Sequence, residues 1–315
     1  MERKLRIGGL LYALVLTLFT VYVLLDTFVI TRVETQVPST PQISTTPTNV
    51  PNEGPVIPDE GPVIPDEGPD TPKITDRTYR DRNISITLTE YREHDTDIYV
   101  AEIKIASADY LKTAFAKNAY GRNIKETTSD MAENNDAILA INGDYYGSRQ
   151  KGYVLRNGTL YRMDGDPKRQ DLMIGKDGDF RIYSEANVSA NMLSSFDAWQ
   201  VFSFGPALLQ EGQISVDKNT EVDQATTSNP RTAIAQVGEL HYLMVVSDGR
   251  TDRSEGLSLY QLATFLQTLG ARTAYNLDGG GSSTMWFNGK VINQPVNHGS
   301  EVSERKVSDI VYIGY

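Results

Sequence analysis

The sequence predicts an α+β fold. A mixed, largely antiparallel sheet is flanked by helices and preceded by a transmembrane helix and a disordered linker. Three observations predict it. Residues 7–25 carry no charge. A stretch rich in Pro, Thr, Ser and acids follows. From residue 76 onward, short apolar segments with strand-like alternation outnumber helical ones and are punctuated by Asn-Gly, Asp-Gly and Gly-Glu turns. Many strands and few helices in mixed order argue for α+β.

The first apolar run is long enough to cross the hydrocarbon core of a bilayer as a helix. Arg3, Lys4 and Arg6 precede it. They keep the N-terminus in the cytoplasm and direct the remainder outside. No Ala-x-Ala-like cleavage site follows, which favours an uncleaved signal-anchor over a cleaved signal peptide. Residues 1–30 are read as cytoplasmic N-terminus and anchor, residues 31–75 as linker, and residues 76–315 as the globular domain. The expected location is the cell membrane, single-pass, with the C-terminal domain extracytoplasmic. Within the linker, Gly54-Pro55-Val56-Ile57-Pro58-Asp59-Glu60 recurs as residues 61–67. Such a segment buries too little apolar surface to fold, and its prolines stiffen it into a spacer.

Along the globular domain, residues 84–88 alternate as a half-buried strand and residues 98–105 form a second. Residues 124–134 read as a helix. Residues 137–141 are a short buried strand leading into Asn142-Gly143-Asp144. Asn157-Gly158, Asp177-Gly178 and Asn288-Gly289 mark hairpins. Residues 201–204 form a strand ending at Gly205-Pro206, and residues 231–237 and 240–247 bracket Gly238-Glu239 as a further hairpin. Ser258 caps a helix whose Leu259, Leu262, Ala263, Leu266 and Leu269 share one face, and Gly270 suits its stop. Residues 273–277 form a strand that delivers Asp278, and residues 309–313 close the domain.

The composition excludes several chemistries. There is no cysteine, so no disulfide scaffold, thiolate metal site or cysteine nucleophile. The formal charge of −11 argues against a nucleic-acid partner, because phosphate backbones need a basic surface. The histidines are His94, His241 and His298, with no His-x-x-x-His pair for a helical zinc site.

Four polar loops each follow or open a predicted buried strand: Asn142-Gly143-Asp144, Asn229-Pro230-Arg231-Thr232, Asp248-Gly249-Arg250, and Asn276-Leu277-Asp278-Gly279-Gly280-Gly281-Ser282-Ser283. Gathered together, they suit cleavage of a bond beside a phosphate. Arg231 and Arg250 offer paired donors to phosphate oxygens, and the Gly279, Gly280 and Gly281 amides form an anion nest. A carboxylate serves as base or nucleophile at a sugar's anomeric carbon and a second as acid or sugar ligand. Asp278 is the first choice for the carboxylate nearest the reaction and Asp144 the second. Asn142, Gly143, Thr232, Asp248, Ser282 and Ser283 complete the substrate-binding set. Each also has a structural reading: Asp144 as a turn cap, Asp248-Gly249 as a hairpin dipeptide, Arg231 as partner of an acid.

These motifs, in this order, resemble the phosphodiester glycosidase family. The resemblance runs from Ala140-Ile141-Asn142-Gly143-Asp144-Tyr145-Tyr146 through Ser203-Phe204-Gly205-Pro206, Asn229-Pro230-Arg231-Thr232 and Val246-Ser247-Asp248-Gly249-Arg250 to the glycine run. Glu304-Arg305-Lys306-Val307 precedes the final strand. It implies a hydrolase cutting a sugar-1-phosphodiester of the N-acetylglucosamine-1-phosphate type on the sugar side, with Asn142, Arg231, Asp248, Asp278 and Ser282 around the site. With the anchor, the expected substrate is an envelope or exopolysaccharide glycan. Asp144 stands where many relatives have Gly. With Asp278 it could hold Ca²⁺ or Mg²⁺ through oxygen ligands, although no metal-loop pattern is present and no metal ligand is assigned. Two other readings fit the same residues: a non-catalytic binder of anionic cell-wall polymer, and a glycan phosphotransferase.

Overall fold

The computed structural model describes residues 2–36, 68–218, 226–297 and 301–315. The tandem repeat and His298 lie outside the described residues. At its centre is a nine-stranded sheet. Its spatial order is Gln213–Ile214, Ala207–Gln210, Thr273–Asn276, Arg231–Gly238, His241–Ser247, Thr96–Ile105, Ile84–Glu93, Thr78–Arg80, Lys73–Ile74. Residue alternation sets its two faces. Tyr242, Met244 and Val246 enter a core shared with two five-stranded sheets, while Leu243 and Val245 meet the helix Leu259–Thr268. The first five-stranded sheet runs Lys290–Val291, Met285–Phe287, Leu139–Asn142, Asp309–Ile313, Leu111–Phe115. The helix Thr128–Asn134 covers its outer face, packing Met131 and Ala132 with Ala140, Trp286 and Ile310. The second contains Thr159–Arg162, Val154–Arg156, Ala198–Phe202, Gln170–Gly175 and Phe180–Ser184.

Local chemistry accounts for the elements. Asn157 and Gly158 take φ of 48° and 74°, and Asn288 and Gly289 take 45° and 86°. These are the left-handed values that a two-residue hairpin demands. Ser258 and Gln261 form a reciprocal capping box at the start of Leu259–Thr268. Gly270, with φ of 80°, follows that helix's end.

Three expectations are corrected. The sheets are antiparallel at every pairing among the described strands rather than mixed. The helix expected from residue 124 begins at Thr128, because Thr127 takes extended geometry and its hydroxyl accepts from Asp130 N. Residues 31–75 carry strands at both ends. Arg32–Gln36 pairs with Ala119–Arg122, and Lys73–Ile74 pairs with Thr78–Arg80. The apolar helix Glu2–Phe28 contains a 19-residue stretch, Leu10–Phe28, with mean hydropathy 2.0 and no burial against the rest of the chain. That length and composition suffice to span a membrane.

Pairing register places the predicted loops at one end of the molecule. Arg231 lies opposite Ser247, Ala233 opposite Asn276, and Ile310 opposite Asn142. The strand ends that carry Asp278, Arg231, Asp248 and Gly143 are thereby gathered.

Leu262 is fully buried between its helix and the nine-stranded sheet. Leu262→Ala is expected to lower the unfolding free energy by about 2–5 kcal/mol, read by denaturant titration. A change within error would mean that the helix is not packed as described.

Candidate active site

Asn142 ends its strand fully buried, and its side chain joins three of the loops. Its Nδ2 donates to the Asp278 carbonyl at 2.6 Å. Its Oδ1 accepts from Thr232 Oγ1 at 2.8 Å and from Thr284 N at 3.2 Å. Ser283 Oγ lies 3.2 Å from the same threonine hydroxyl. Backbone bonds add to the junction: Asp278 N donates to the Gly143 carbonyl, Leu277 N to Thr232 and Gly280 N to Pro230.

Asp278 is partly exposed at this junction. Ser282 Oγ donates to its Oδ2 at 2.7 Å. Burial is the largest influence on its pKa and raises it. The Ser282 hydroxyl and the charges of Arg305 and Arg149 pull the other way without cancelling that rise. The glycine run wraps between these cations. A methyl group on Gly280, at φ of 62°, would lie 2.9 Å from Arg250 Nη2. One on Gly281 would lie 2.8 Å from Arg305 Nη2. The left-handed φ at Gly280 and the Asn297 backbone, 2.9 Å from a methyl group on Gly281, favour glycine at both positions. Gly279 rests against the Pro230 carbonyl and beside the Arg231 side chain.

The predicted residues separate into two groups. Asn142, Gly143, Thr232, Asp278, Gly279, Gly280, Gly281, Ser282 and Ser283 meet directly, with Arg250 reaching across from Asn229 Oδ1. Asp144 and Asp248 turn elsewhere, while the Arg231 side chain runs beside Gly279 and is held by carbonyls. Arg231 Nε donates to the Leu257 carbonyl and its Nη2 to that of Thr227. Asp248 accepts from Asn293, Gln294 N and Tyr99. Its pKa is raised, chiefly by burial. Asp144 Oδ1 takes the Tyr146 amide, while its Oδ2 takes Arg156 Nη2 at 2.8 Å and Ser203 N at 3.3 Å. Both oxygens are engaged by donors, so this arrangement does not fit the cation site considered for Asp144 with Asp278.

Arg156 also contacts Asp309 Oδ2 through Nε and Nη2, and all three side chains are buried. Burial opposes the charged form of Asp144, yet Arg156 holds its pKa below the ordinary value. Asp309 takes the opposite course. Burial pushes it from 3.8 up to about 8; the charges of Asp144 and Asp278 add to the rise and Arg156 opposes it. The Asp309 carboxylate also fills the space that a side chain at Gly143 would need.

Sequence reasoning assigned no role to Arg149, Arg156 or Asp309 and placed Arg305 only in the run before the last strand. A lone acid opening the apolar strand Asp309–Ile313 was the available signal for Asp309, since unpaired buried carboxylates are costly.

The antiparallel α+β scaffold thus presents one acid on a glycine turn approached by guanidiniums. A sequence profile of the phosphodiester glycosidase family matches residues 135–314, and the chain belongs to that family. An uncharacterized SPbeta prophage-derived protein of Bacillus subtilis is 29% identical over 218 residues, covering 67% of this chain and 33% of that protein. The mouse N-acetylglucosamine-1-phosphodiester alpha-N-acetylglucosaminidase is 26% identical over 190 residues, covering 55% of this chain and 36% of the enzyme. The chain thus spans about a third of the length of these relatives. Among solved structures, the catalytic domain of the zebrafish enzyme of the same name shares the fold. Its TM-score is 0.59 at 21% identity, covering 74% of this chain and 83% of that one.

Two outcomes are expected. Asn142→Ala strands the Thr284 amide and the Asp278 carbonyl. It should cost about 1–3 kcal/mol for each group left buried and unpaired, measured by equilibrium unfolding. The second concerns pH. A carboxyl whose pKa rises on folding contributes stability that is full below the unfolded value and is lost as pH climbs through the folded one. For Asp309 that window runs from 3.8 to about 8. Between roughly pH 5 and 9, Tm should fall more steeply in the native chain than in Asp309→Asn. Parallel profiles would remove the assignment.

Proposed function

We propose that the chain hydrolyses a sugar-1-phosphodiester, of the N-acetylglucosamine-1-phosphate type, in envelope or exopolysaccharide glycans. In this reading the helix Glu2–Phe28 anchors it in the cell membrane, with Arg3, Lys4 and Arg6 on the cytoplasmic side and the catalytic domain outside. The observation that carries the proposal is the setting of Asp278. It is a partly exposed acid hydrogen-bonded to Ser282 and flanked by Arg149 and Arg305, on a turn of three glycines.

The division of labour follows from chemistry. A phosphoryl group on the anomeric oxygen is a good leaving group once its charge is met. The guanidiniums of Arg250 and Arg305 and the amides of the glycine turn supply that charge and hold the ester. Asp278 acts at the anomeric carbon, as base toward water or as nucleophile. Burial tunes its proton affinity and Ser282 fixes its rotamer. Asp144, the second carboxylate considered from sequence, acts through Arg156 as a positioning residue beneath Gly143. Family membership supports a hydrolase of this type, and the name of the mouse relative supplies the sugar phosphodiester as substrate class.

The full chain in detergent, incubated with an N-acetylglucosamine-1-phosphodiester, should release free reducing sugar. Asp278→Asn should slow that release by about 10²–10⁴-fold, the span of a lost acid–base group. Undiminished turnover in the variant would refute the role of Asp278. Saturable binding without turnover in the native chain would instead mark a binder, and phosphate on a new hydroxyl a transferase.

A further inference from the structure

A cavity of about 390 Å³ is bounded by Tyr120, Arg122, Tyr146, Arg149, Tyr161 and Arg162, of which Tyr146 and Arg149 lie just beyond the Asn142-Gly143-Asp144 loop in sequence. That volume falls within the range of small-molecule sites, on the order of 300–1,000 Å³. We propose that this cavity is a second subsite, binding the next phosphate-linked sugar of a polymeric substrate while the first sits at Asp278. The inference rests on the reading given under Proposed function and extends it from a single ester to a repeating glycosyl-phosphate chain.

Charge is the first argument. The chain carries 41 acids against 30 Lys and Arg, so acidic partners are in excess. Yet among the described residues none of Arg122, Arg149 and Arg162 pairs with a carboxylate within 4.0 Å. Arg149 donates to the Ser203 carbonyl, and Arg162 to the carbonyls of Gly152, Tyr146 and Arg149. These bonds orient the two groups without neutralising them. Arg122 Nε is buried with no hydrogen-bond partner at all. A buried donor without a partner is costly, and an anionic ligand would satisfy it.

The walls are the second argument. Tyr120 stacks on Tyr146 with centroids 5.5 Å apart and planes 16° from parallel, and Tyr161 lies 5.2 Å from Tyr120. Tyr120 and Tyr146 are buried against each other, so the part-exposed Tyr161 is the ring left to take a sugar's apolar face while the cations take its phosphate. Arg149 is the third argument. It lines the cavity and its charge also acts on Asp278. Arg149 is thus the residue common to the cavity lining and to the charges felt at Asp278, which makes it the candidate to meet the phosphate linking two successive sugars. Glu34, on the strand Arg32–Gln36, and Asp164 line the same cavity and contribute opposing charges, leaving three guanidiniums against two carboxylates.

The test is a binding measurement, so it does not depend on turnover. The full Asp278→Asn chain in detergent is titrated calorimetrically with two probes. One is the methyl phosphodiester of N-acetylglucosamine-1-phosphate; the other is the corresponding two-sugar oligomer carrying two phosphodiesters. The oligomer should bind about tenfold tighter, the gain of one charge-assisted contact set. Arg122→Gln should erase that advantage, Arg122→Lys should restore part of it, and Glu34→Gln should enlarge it. Equal affinity for the two probes overturns the proposal. So does an equal loss for both in Arg122→Gln, or no binding of either at millimolar concentration. If the oligomer binds as expected but the native chain releases no sugar, the subsite stands and the hydrolytic reading fails.

Discussion

The amide side chain of Asn142 is the contact on which the site depends. It stands at the seam between the nine-stranded sheet and a five-stranded one, fully buried, and spends both its donor and its acceptor across that seam. On one side it holds the carbonyl of Asp278; on the other it meets Thr232 and the amide of Thr284. In a low-dielectric interior such bonds are strong and expensive to leave unmade. The glycine turn therefore cannot shift without breaking a network that also joins two layers of the fold. A rigid scaffold of this kind is what lets a loop hold reacting groups in fixed positions.

Electrostatics is arranged in depth. Deepest lie Asp144, Arg156 and Asp309, sealed from solvent, where two acids share one guanidinium. One acid is driven below the ordinary range and the other above it, so near neutrality the trio needs little net charge. Buried ionic groups persist only when compensated in this way. Above them Asp278 opens toward solvent, and Arg149, Arg250 and Arg305 approach it or its glycine turn from three separate segments. The interior is thus kept close to neutral and positive charge is presented outside. A surface of that sign attracts an anionic ester even though the chain as a whole is acidic.

Much of this was legible in the sequence where the governing rule is local. Asn157-Gly158 and Asn288-Gly289 form their hairpins because both positions need left-handed φ. Ser258 with Gln261 announces its helix because the cap is satisfied within four residues. The meeting of Asn142, Thr232 and the glycine run was readable because all three sit at ends of apolar strands, and strand ends in one layered fold converge. Side-chain direction was not readable. Asp144 and Asp248 belong to the right loops but turn toward other partners, Arg156 and Asn293. Arg149 and Arg305 were passed over for the same reason. Their relevance arises only when loops 156 residues apart lie on either side of Asp278. Arg156 lies inside a hairpin strand, and its burial follows only from a third sheet strand and Asp309, which local sequence does not bring to it.

The strand Arg32–Gln36 starts only four positions after Phe28, the last residue of the apolar helix, and it is zipped to Ala119–Arg122. Where that helix lies in a bilayer, those few residues, each spanning at most about 3.6 Å, hold this strand pair close to the lipid surface.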